Sequence, residues 1–264
     1  MQHALDRAVP VEIIEVSTLD DVREQADRIR ELVRATRVCL LRGLVDPAQV
    51  RASLARLQLA FSAENDTKID HKSHVDRAAD VPNYQRLMLG EWGETATAHA
   101  FFMRAFYNPM WNEDLWQMRE TFRAMTIVRN LLYDVREDYC LDGPEDAFYT
   151  LSRIHHYPAG GGFLKSHIDS VASQTADGAG LNGFIQILLA MSCKGTDFQQ
   201  GGGYFVQAGR RVYYEDFTVP GDLLVYNGRT MHGVGAVDPQ APTDLTSIEG
   251  RFSAMVTLYR SNGG

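Results

Sequence analysis

From Phe148 to Tyr259 the chain breaks into about eight short apolar runs punctuated by glycine and proline, a pattern that allows few architectures. The runs are Thr150 to Tyr157, Phe163 to Asp169, Phe184 to Met191, Tyr204 to Val206, Arg211 to Tyr214, Leu223 to Tyr226, His232 to Val237 and Phe252 to Tyr259. Turn material separates them, chiefly Pro158-Ala159-Gly160-Gly161-Gly162, Gly201-Gly202-Gly203, Pro220-Gly221-Asp222 and Pro239 to Pro242. Runs this short gain little as helices but pair readily as strands. Eight in succession predict a jelly roll of two facing sheets, an architecture that can enclose a cofactor.

The preceding residues carry a different period. After a strand-like run, Val11 to Val16, the Ser17-Thr18-Leu19-Asp20-Asp21 stretch caps a helix whose apolar positions Leu19, Val22, Ala26, Ile29 and Val33 follow helical spacing. Val38 to Leu41 reads as a buried strand ending at Gly43. Asp46-Pro47 opens a second helix, because the aspartate accepts free N–H groups and proline needs none at the first helical position. Its stripe is Val50, Leu54, Leu57 and Phe61. A third helix is expected from about Asn112, with Leu115, Met118, Phe122, Met125, Val128 and Leu131 on one face. Residues 1–147 are thus expected to be mainly helical, flanking a β core over 148–260. With 264 residues, 45% of them hydrophobic, a single domain is expected over 1–264.

Composition narrows the partners. A formal net charge of -8 argues against nucleic acid or an anionic membrane and leaves a small molecule as the expected partner. Cys39, Cys140 and Cys193 are widely spaced and odd in number, so they suggest reduced core thiols, not a disulfide framework or a zinc knuckle. No signal peptide or long apolar run is visible, and a cytoplasmic location is the resulting expectation. Nothing in the residues specifies an oligomer.

Two His-X-Asp triplets occur, His74-Val75-Asp76 and His167-Ile168-Asp169. With eight His and 34 acidic residues, chance supplies roughly one such triplet, so spacing alone decides little. The first sits in a charged stretch without strand alternation and reads as solvated surface. The second ends an expected strand, where a period of two puts His167 and Asp169 on one face. His232 opens a later strand. Two histidines and a carboxylate on one side of a metal leave positions open, as in non-haem Fe(II) oxygenases. Singly, a hydrogen-bonded core histidine or a loop-capping aspartate explains each residue, whereas the ordered set favours the metal.

Arg251 and Ser253 share a strand face and could grip one carboxylate, while Phe252, Ala254 and Val256 take the other face. A surface arginine at a strand start is the alternative, and a buried one would need an anionic partner. Tyr157, alternating with Arg153 and His155, either donates to the same ligand or is an ordinary core tyrosine. The segment Val81 to Trp111 shows little periodicity but holds Arg86, Trp92, Phe102 and Arg104, a mix suited to a lid that meets a polar or anionic molecule. Ordinary packing is the other reading. Arg153 and Gln186, on strands, are further candidate substrate contacts.

As an ordered set, His167-Ile168-Asp169, His232 preceded by Gly221-Asp222-Leu223-Leu224-Val225-Tyr226, and Arg251-Phe252-Ser253 resemble the Fe(II)/2-oxoglutarate-dependent dioxygenase superfamily. Tyr157-Pro158-Ala159-Gly160 is similar to the strand that precedes the first ligand in its prolyl-hydroxylase-like and phytanoyl-type branches. The likeness spans roughly residues 148 to 260. It implies a mainly β fold with flanking α, a cupin-like double-stranded β-helix with a helical N-terminal segment, acting as one catalytic domain. It assigns His167, Asp169 and His232 to iron and Arg251 to the distal carboxylate of 2-oxoglutarate, with Ser253 and Tyr157 assisting. The implied cofactors are Fe(II), 2-oxoglutarate and O2, with ascorbate as a possible reductant. Arg251 follows His232 by 19 positions, across the polar insert Asp238 to Glu249, a longer gap than in branches with a tight connection; this leaves Arg260 as a rival for the carboxylate.

The implied activity is hydroxylation of an unactivated C–H of a small, polar molecule. Desaturation, epimerisation and ring formation use the same cofactors, because radical fate depends on substrate pose. The retained Asp169 argues against the halogenating branch, which replaces that carboxylate. A noncatalytic jelly-roll binder would need no open iron site, and modification of a protein side chain would call for an open groove.

Overall fold

Strands of the C-terminal half cross between two faces of a barrel-like sandwich, with only the hairpin of Gly202–Gln207 and Arg210–Tyr213 staying on one face. The computed structural model describes residues 11–36, 38–67, 84–92, 99–146, 148–169 and 185–260. The core strands are β5 (Phe148–Pro158), β6 (Gly162–His167), β7 (Ile185–Ala190), β8 (Gly202–Gln207), β9 (Arg210–Tyr213), β10 (Leu223–Asn227), β11 (His232–Val237) and β12 (Gly250–Arg260). One face runs β10-β7-β12-β5 and the other β6-β11-β8-β9, which is the winding of a double-stranded β-helix. Each of the eight expected runs coincides with one of these strands. No helix among the described residues is long and apolar enough to cross a membrane.

The N-terminal elements β1 (Glu12–Glu15), α1 (Leu19–Thr36), β2 (Val38–Arg42) and α2 (Pro47–Ala60) follow the sequence expectation. Thr18 accepts from the Asp21 N–H at 3.1 Å while Asp21 accepts from the Ser17 and Thr18 N–H groups, a reciprocal cap that starts α1. Asp46 accepts from the Ala48 N–H at 2.9 Å with Pro47 in the first turn of α2. Strands β2 and β1 extend the first sheet beyond β10.

Helix faces and strand faces meet in the largest core. Val22, Ile29 and Val33 of α1, Val50, Leu54 and Leu57 of α2, and Phe122, Met125 and Val128 of α3 (Arg119–Tyr133) pack with Ile187, Leu189, Leu223, Val225, Ala254 and Val256. The alternate positions Leu188, Leu224 and Met255 cluster on the opposite side, toward the barrel interior. Period two thus assigns one set of side chains to the helices and the other to the interior. All three cysteines are free, with Cys39 and Cys140 buried.

Several expectations need correction. The stretch Val81 to Trp111, read without periodicity as a lid or as packing, contributes β3 (Gln85–Trp92) and β4 (His99–Tyr107), an antiparallel pair within the sheet. β4 pairs with β5 through Arg104–Tyr107 and with β6 through Phe101–Phe102, so it bridges the two faces. Phe101 and Met103 pack on one side, Phe106 against the helix-covered core, and Ala105 and Tyr107 in a further cluster. A strand buried on both faces loses its alternation, which is why no period was legible. The first half is accordingly less helical than expected. The third helix begins at Arg119, not Asn112, because Asp114 accepts from the Met118 and Arg119 N–H groups and holds the preceding residues in turns. Finally, β6 stops at His167, so Asp169 lies just beyond the strand.

Arg104, expected to meet substrate, fastens the fold instead. Its Nε donates to both carboxylate oxygens of Asp66, at 3.2 and 3.0 Å, and its remaining nitrogens donate to the carbonyls of Leu245 and Ser247. Both side chains of the pair are buried, and the guanidinium lies over Phe61. Asp66→Asn keeps the shape but removes the charge, and is expected to destabilise the protein by about 2 kcal/mol, the scale of one charged hydrogen bond. Thermal unfolding checks this, with a midpoint lowered by about 4–8 °C.

Candidate functional site

His167 ends β6 and His232 starts the antiparallel β11, and the two are register partners. Their rings stand 4.3 Å apart between centroids. Asp169 is brought to them by a loop contact: its N–H donates to the Gly228 carbonyl at 2.9 Å. Its Oδ1 then lies 3.4 Å from His167 Nε2 and 3.5 Å from His232 Nε2. One ligand atom from each residue falls within 4.8 Å of the others.

The outer atoms of the trio are tied off. His167 Nδ1 pairs with the Lys165 carbonyl at 2.9 Å and His232 Nδ1 with that of Thr230 at 2.8 Å. A carbonyl only accepts, so both Nδ1 atoms carry the proton and each Nε2 presents a lone pair inward when neutral. Tyr226 donates to Asp169 Oδ2 at 3.2 Å, leaving Oδ1 facing the histidines. Burial opposes ionisation of Asp169, but the facing His232 and His167 hold its carboxyl well below the usual range. Burial likewise lowers His232, and Asp169 more than reverses this. Two imidazoles and a carboxylate converging with fixed outer hydrogen bonds fit a divalent metal.

The trio opens into a cavity of about 160 Å³ whose walls include Leu164, Leu188, Phe205, Leu224, Val234 and Met255. Tyr157, Arg153 and Arg251 also line it, joined by His155, Tyr214 and Tyr226. Arg251 is buried and donates through Nε to Glu215, through Nη2 to the Tyr214 hydroxyl at 2.9 Å and through Nη1 to Ser253 Oγ at 3.3 Å. Its guanidinium lies 5.0 Å from the Tyr157 ring centroid. Burial pushes the Tyr157 phenol up to about 12, so it remains a neutral donor. Burial also raises the Glu215 carboxyl, with Arg251 pulling it back only in part. Gly203 permits this arrangement, since a Cβ there would fall 1.9 Å from the Tyr214 hydroxyl.

Other expected contacts stand elsewhere. Gln186 is buried beside Gly228, Phe102 pairs with Phe163, and Arg86 is buried in β3; none of them lines the cavity. Arg260, the rival for the carboxylate, is exposed at the end of β12. The side chain of Trp92 and the triplet His74-Val75-Asp76 lie outside the described residues. Sequence reasoning missed Glu215, Tyr214 and Tyr226. Glu215 stands in Tyr213-Tyr214-Glu215-Asp216, which reads as an ordinary surface turn, and only the demand of a buried arginine for an anion pointed toward such a partner.

No protein-family model matches the chain, and no curated protein matches it. Solved structures do. A full-length Neurospora crassa protein determined in complex with alpha-KG is 12% identical with a TM-score of 0.48, covering 95% of this chain and 84% of its own. A Pseudomonas putida prolyl-4-hydroxylase is 15% identical with a TM-score of 0.47, covering 90% and 99%. A Trichoplax adhaerens prolyl hydroxylase, in complex with a hypoxia inducible factor oxygen degradation domain peptide, is 11% identical with a TM-score of 0.52 over 92% of each chain. The likeness over 92% of both chains establishes that this chain has the jelly-roll fold of that prolyl hydroxylase.

Proposed function

We propose that the chain works as a single catalytic domain, a non-haem Fe(II)- and 2-oxoglutarate-dependent oxygenase that hydroxylates a small molecule. The observation that carries this reading is the convergence of His167 Nε2, His232 Nε2 and Asp169 Oδ1, each with its outer atom already engaged. The shared fold with a prolyl hydroxylase is in keeping with it.

In this reading His167, Asp169 and His232 hold the iron, and Arg251 with Ser253 and Tyr157 receives the distal carboxylate of 2-oxoglutarate. Iron and 2-oxoglutarate, when bound, supply O2 activation coupled to release of succinate and CO2. The protein's own part is to orient and to exclude water. Lys165 and Thr230 carbonyls keep each imidazole in the ligating tautomer, and Tyr226 turns Asp169 Oδ1 inward. Leu188, Phe205, Leu224, Val234 and Met255 make the walls apolar, which favours a dry site.

Anaerobic addition of Fe(II) and then 2-oxoglutarate tests the assignment, with a weak visible charge-transfer band as the expected result. A wild-type protein without that band would sink it. Under air, succinate release and a product that gains one oxygen atom distinguish hydroxylation from desaturation, epimerisation or ring formation.

Gly228 offers a further check. A Cβ there would stand 3.1 Å from Asp169 Cβ and 3.2 Å from Asp169 Oδ2. Gly228→Val should therefore displace the carboxylate and weaken iron binding roughly 10- to 100-fold, the scale seen when outer support of a ligand is lost. Competition with a metal-sensitive dye reads the change directly.

A further inference from the structure

We propose that Arg153 docks a carboxylate of the substrate, so that the molecules oxidised here are small carboxylic acids. The inference rests on the iron and 2-oxoglutarate reading above and extends it to the second guanidinium of the cavity.

Arg153 is nine-tenths buried yet lines the same cavity as the metal-binding trio. Its hydrogen-bond partners are all neutral, and the Asp169 carboxylate acts on it only at a distance, without an ion pair. Nε donates to His155 Nε2 at 2.9 Å, Nη1 donates to Thr257 Oγ1 at 3.0 Å, and Nη2 donates only to the Met255 sulfur at 3.9 Å, while the guanidinium lies 5.9 Å from the Tyr259 ring centroid. His155 accepts through Nε2 and is held neutral, since burial and the two nearby arginines push it well below its usual range. A thioether is a weak acceptor, and among the described residues no carboxylate forms an ion pair with this guanidinium.

Three other buried arginines treat their charge differently. Arg104 is paired with Asp66 and Arg251 with Glu215. Arg129, whose partners are also neutral, has an oxygen acceptor on every nitrogen and lines no part of the cavity. Arg153 alone among these four combines a place on the cavity wall with an Nη2 that meets no oxygen. A buried cation left this way is costly, and a planar carboxylate matches the guanidinium fork.

Register separates the two cavity arginines. Arg251 faces Tyr157 across β12 and β5, whereas Arg153, four residues along β5, faces Met255. That is about 13 Å of strand. Met255 pairs with Leu188 and Leu188 with Leu224, whose same-face neighbour Tyr226 donates to Asp169. Arg153 therefore belongs to the layer next to the metal-binding trio and Arg251 to a layer farther along the barrel. One carboxylate on each would hold co-substrate and substrate apart, both within reach of the metal.

The test uses the enzyme loaded with Fe(II) and 2-oxoglutarate. Succinate release under air is measured with free L-amino acids, short aliphatic acids and aromatic acids, each against its carboxamide. Stimulation by acids and not by their amides is expected. In Arg153→Met the KM of the stimulating acid should rise roughly 10- to 100-fold, the loss of a charged hydrogen-bond pair, with Arg153→Lys recovering part of it. The anaerobic 2-oxoglutarate titration should match wild type in both variants, which also reports that they are folded. Amides as effective as acids, or no acid that stimulates, would overturn the proposal. So would Arg153→Met weakening 2-oxoglutarate, since the arginine would then serve the co-substrate. A wild type that forms no band at all fails at the earlier step and counts against the oxygenase reading itself.

Discussion

His232→Ala is expected to erase the visible band that Fe(II) and 2-oxoglutarate form together, and to weaken iron binding by at least about a hundredfold, the upper end of what loss of a mere outer partner costs. The side chain contributes one of three converging ligand atoms, and no fourth ligand-type residue among the described ones joins the group to replace it. Its ring is partly exposed and packs edge-on against Tyr226 at 5.0 Å, so truncation removes a ligand without opening the main core. A retained cooperative unfolding transition would separate loss of the site from loss of the fold. A band of wild-type intensity in the variant would show that iron is held elsewhere.

Arg251→Met is expected to act twice. It removes the proposed contact to 2-oxoglutarate, and it strands Glu215, whose side chain is only 4% exposed. Breaking a buried pair from one side costs about 3–5 kcal/mol, because the remaining charge has no counterpart. The midpoint of thermal unfolding should fall by on the order of 10 °C. The deficit should depend on pH in a defined sense. Burial already raises the Glu215 carboxyl above its ordinary value, so the folded state holds that proton more tightly than the unfolded chain does. Stability linked to this group is therefore present at low pH and lost as pH rises through the carboxylate range toward neutrality, and more so without Arg251. Adding Glu215→Gln should recover much of the stability but none of the 2-oxoglutarate affinity. Full recovery of both would mean that Arg251 serves only the fold.

The His167, Asp169 and His232 trio was legible as a group because its requirements are local. Period two sets His167 and Asp169 on the same side, and an apolar run with turn residues marks the strand that ends beside them. Even so, the strand stops at His167, and Asp169 is positioned by a hydrogen bond to Gly228, 59 positions away in sequence. Composition carries no trace of such a contact. Strand β4 was hidden for the opposite reason: a strand largely covered on both faces has no alternation to read. Arg104 looked like a ligand-binding arginine because charge type is visible in a sequence and burial is not. Its carboxylate partner, Asp66, comes from another part of the chain.

What the amino-acid order determined by itself is the change of period at Phe148, the eight strands that follow, and the residue types able to hold a metal. These depend on neighbours a few positions apart, where backbone geometry dictates which side chains share a face. What only the tertiary structure decided is the pairing of charges. Arg104 went to Asp66, Arg251 to Glu215, and Arg153 to neutral hydrogen-bond partners on the wall of the cavity that the His-Asp-His trio lines. A buried charge must find its partner through space, across contacts that span tens to hundreds of residues, and no local pattern encodes which partner it finds.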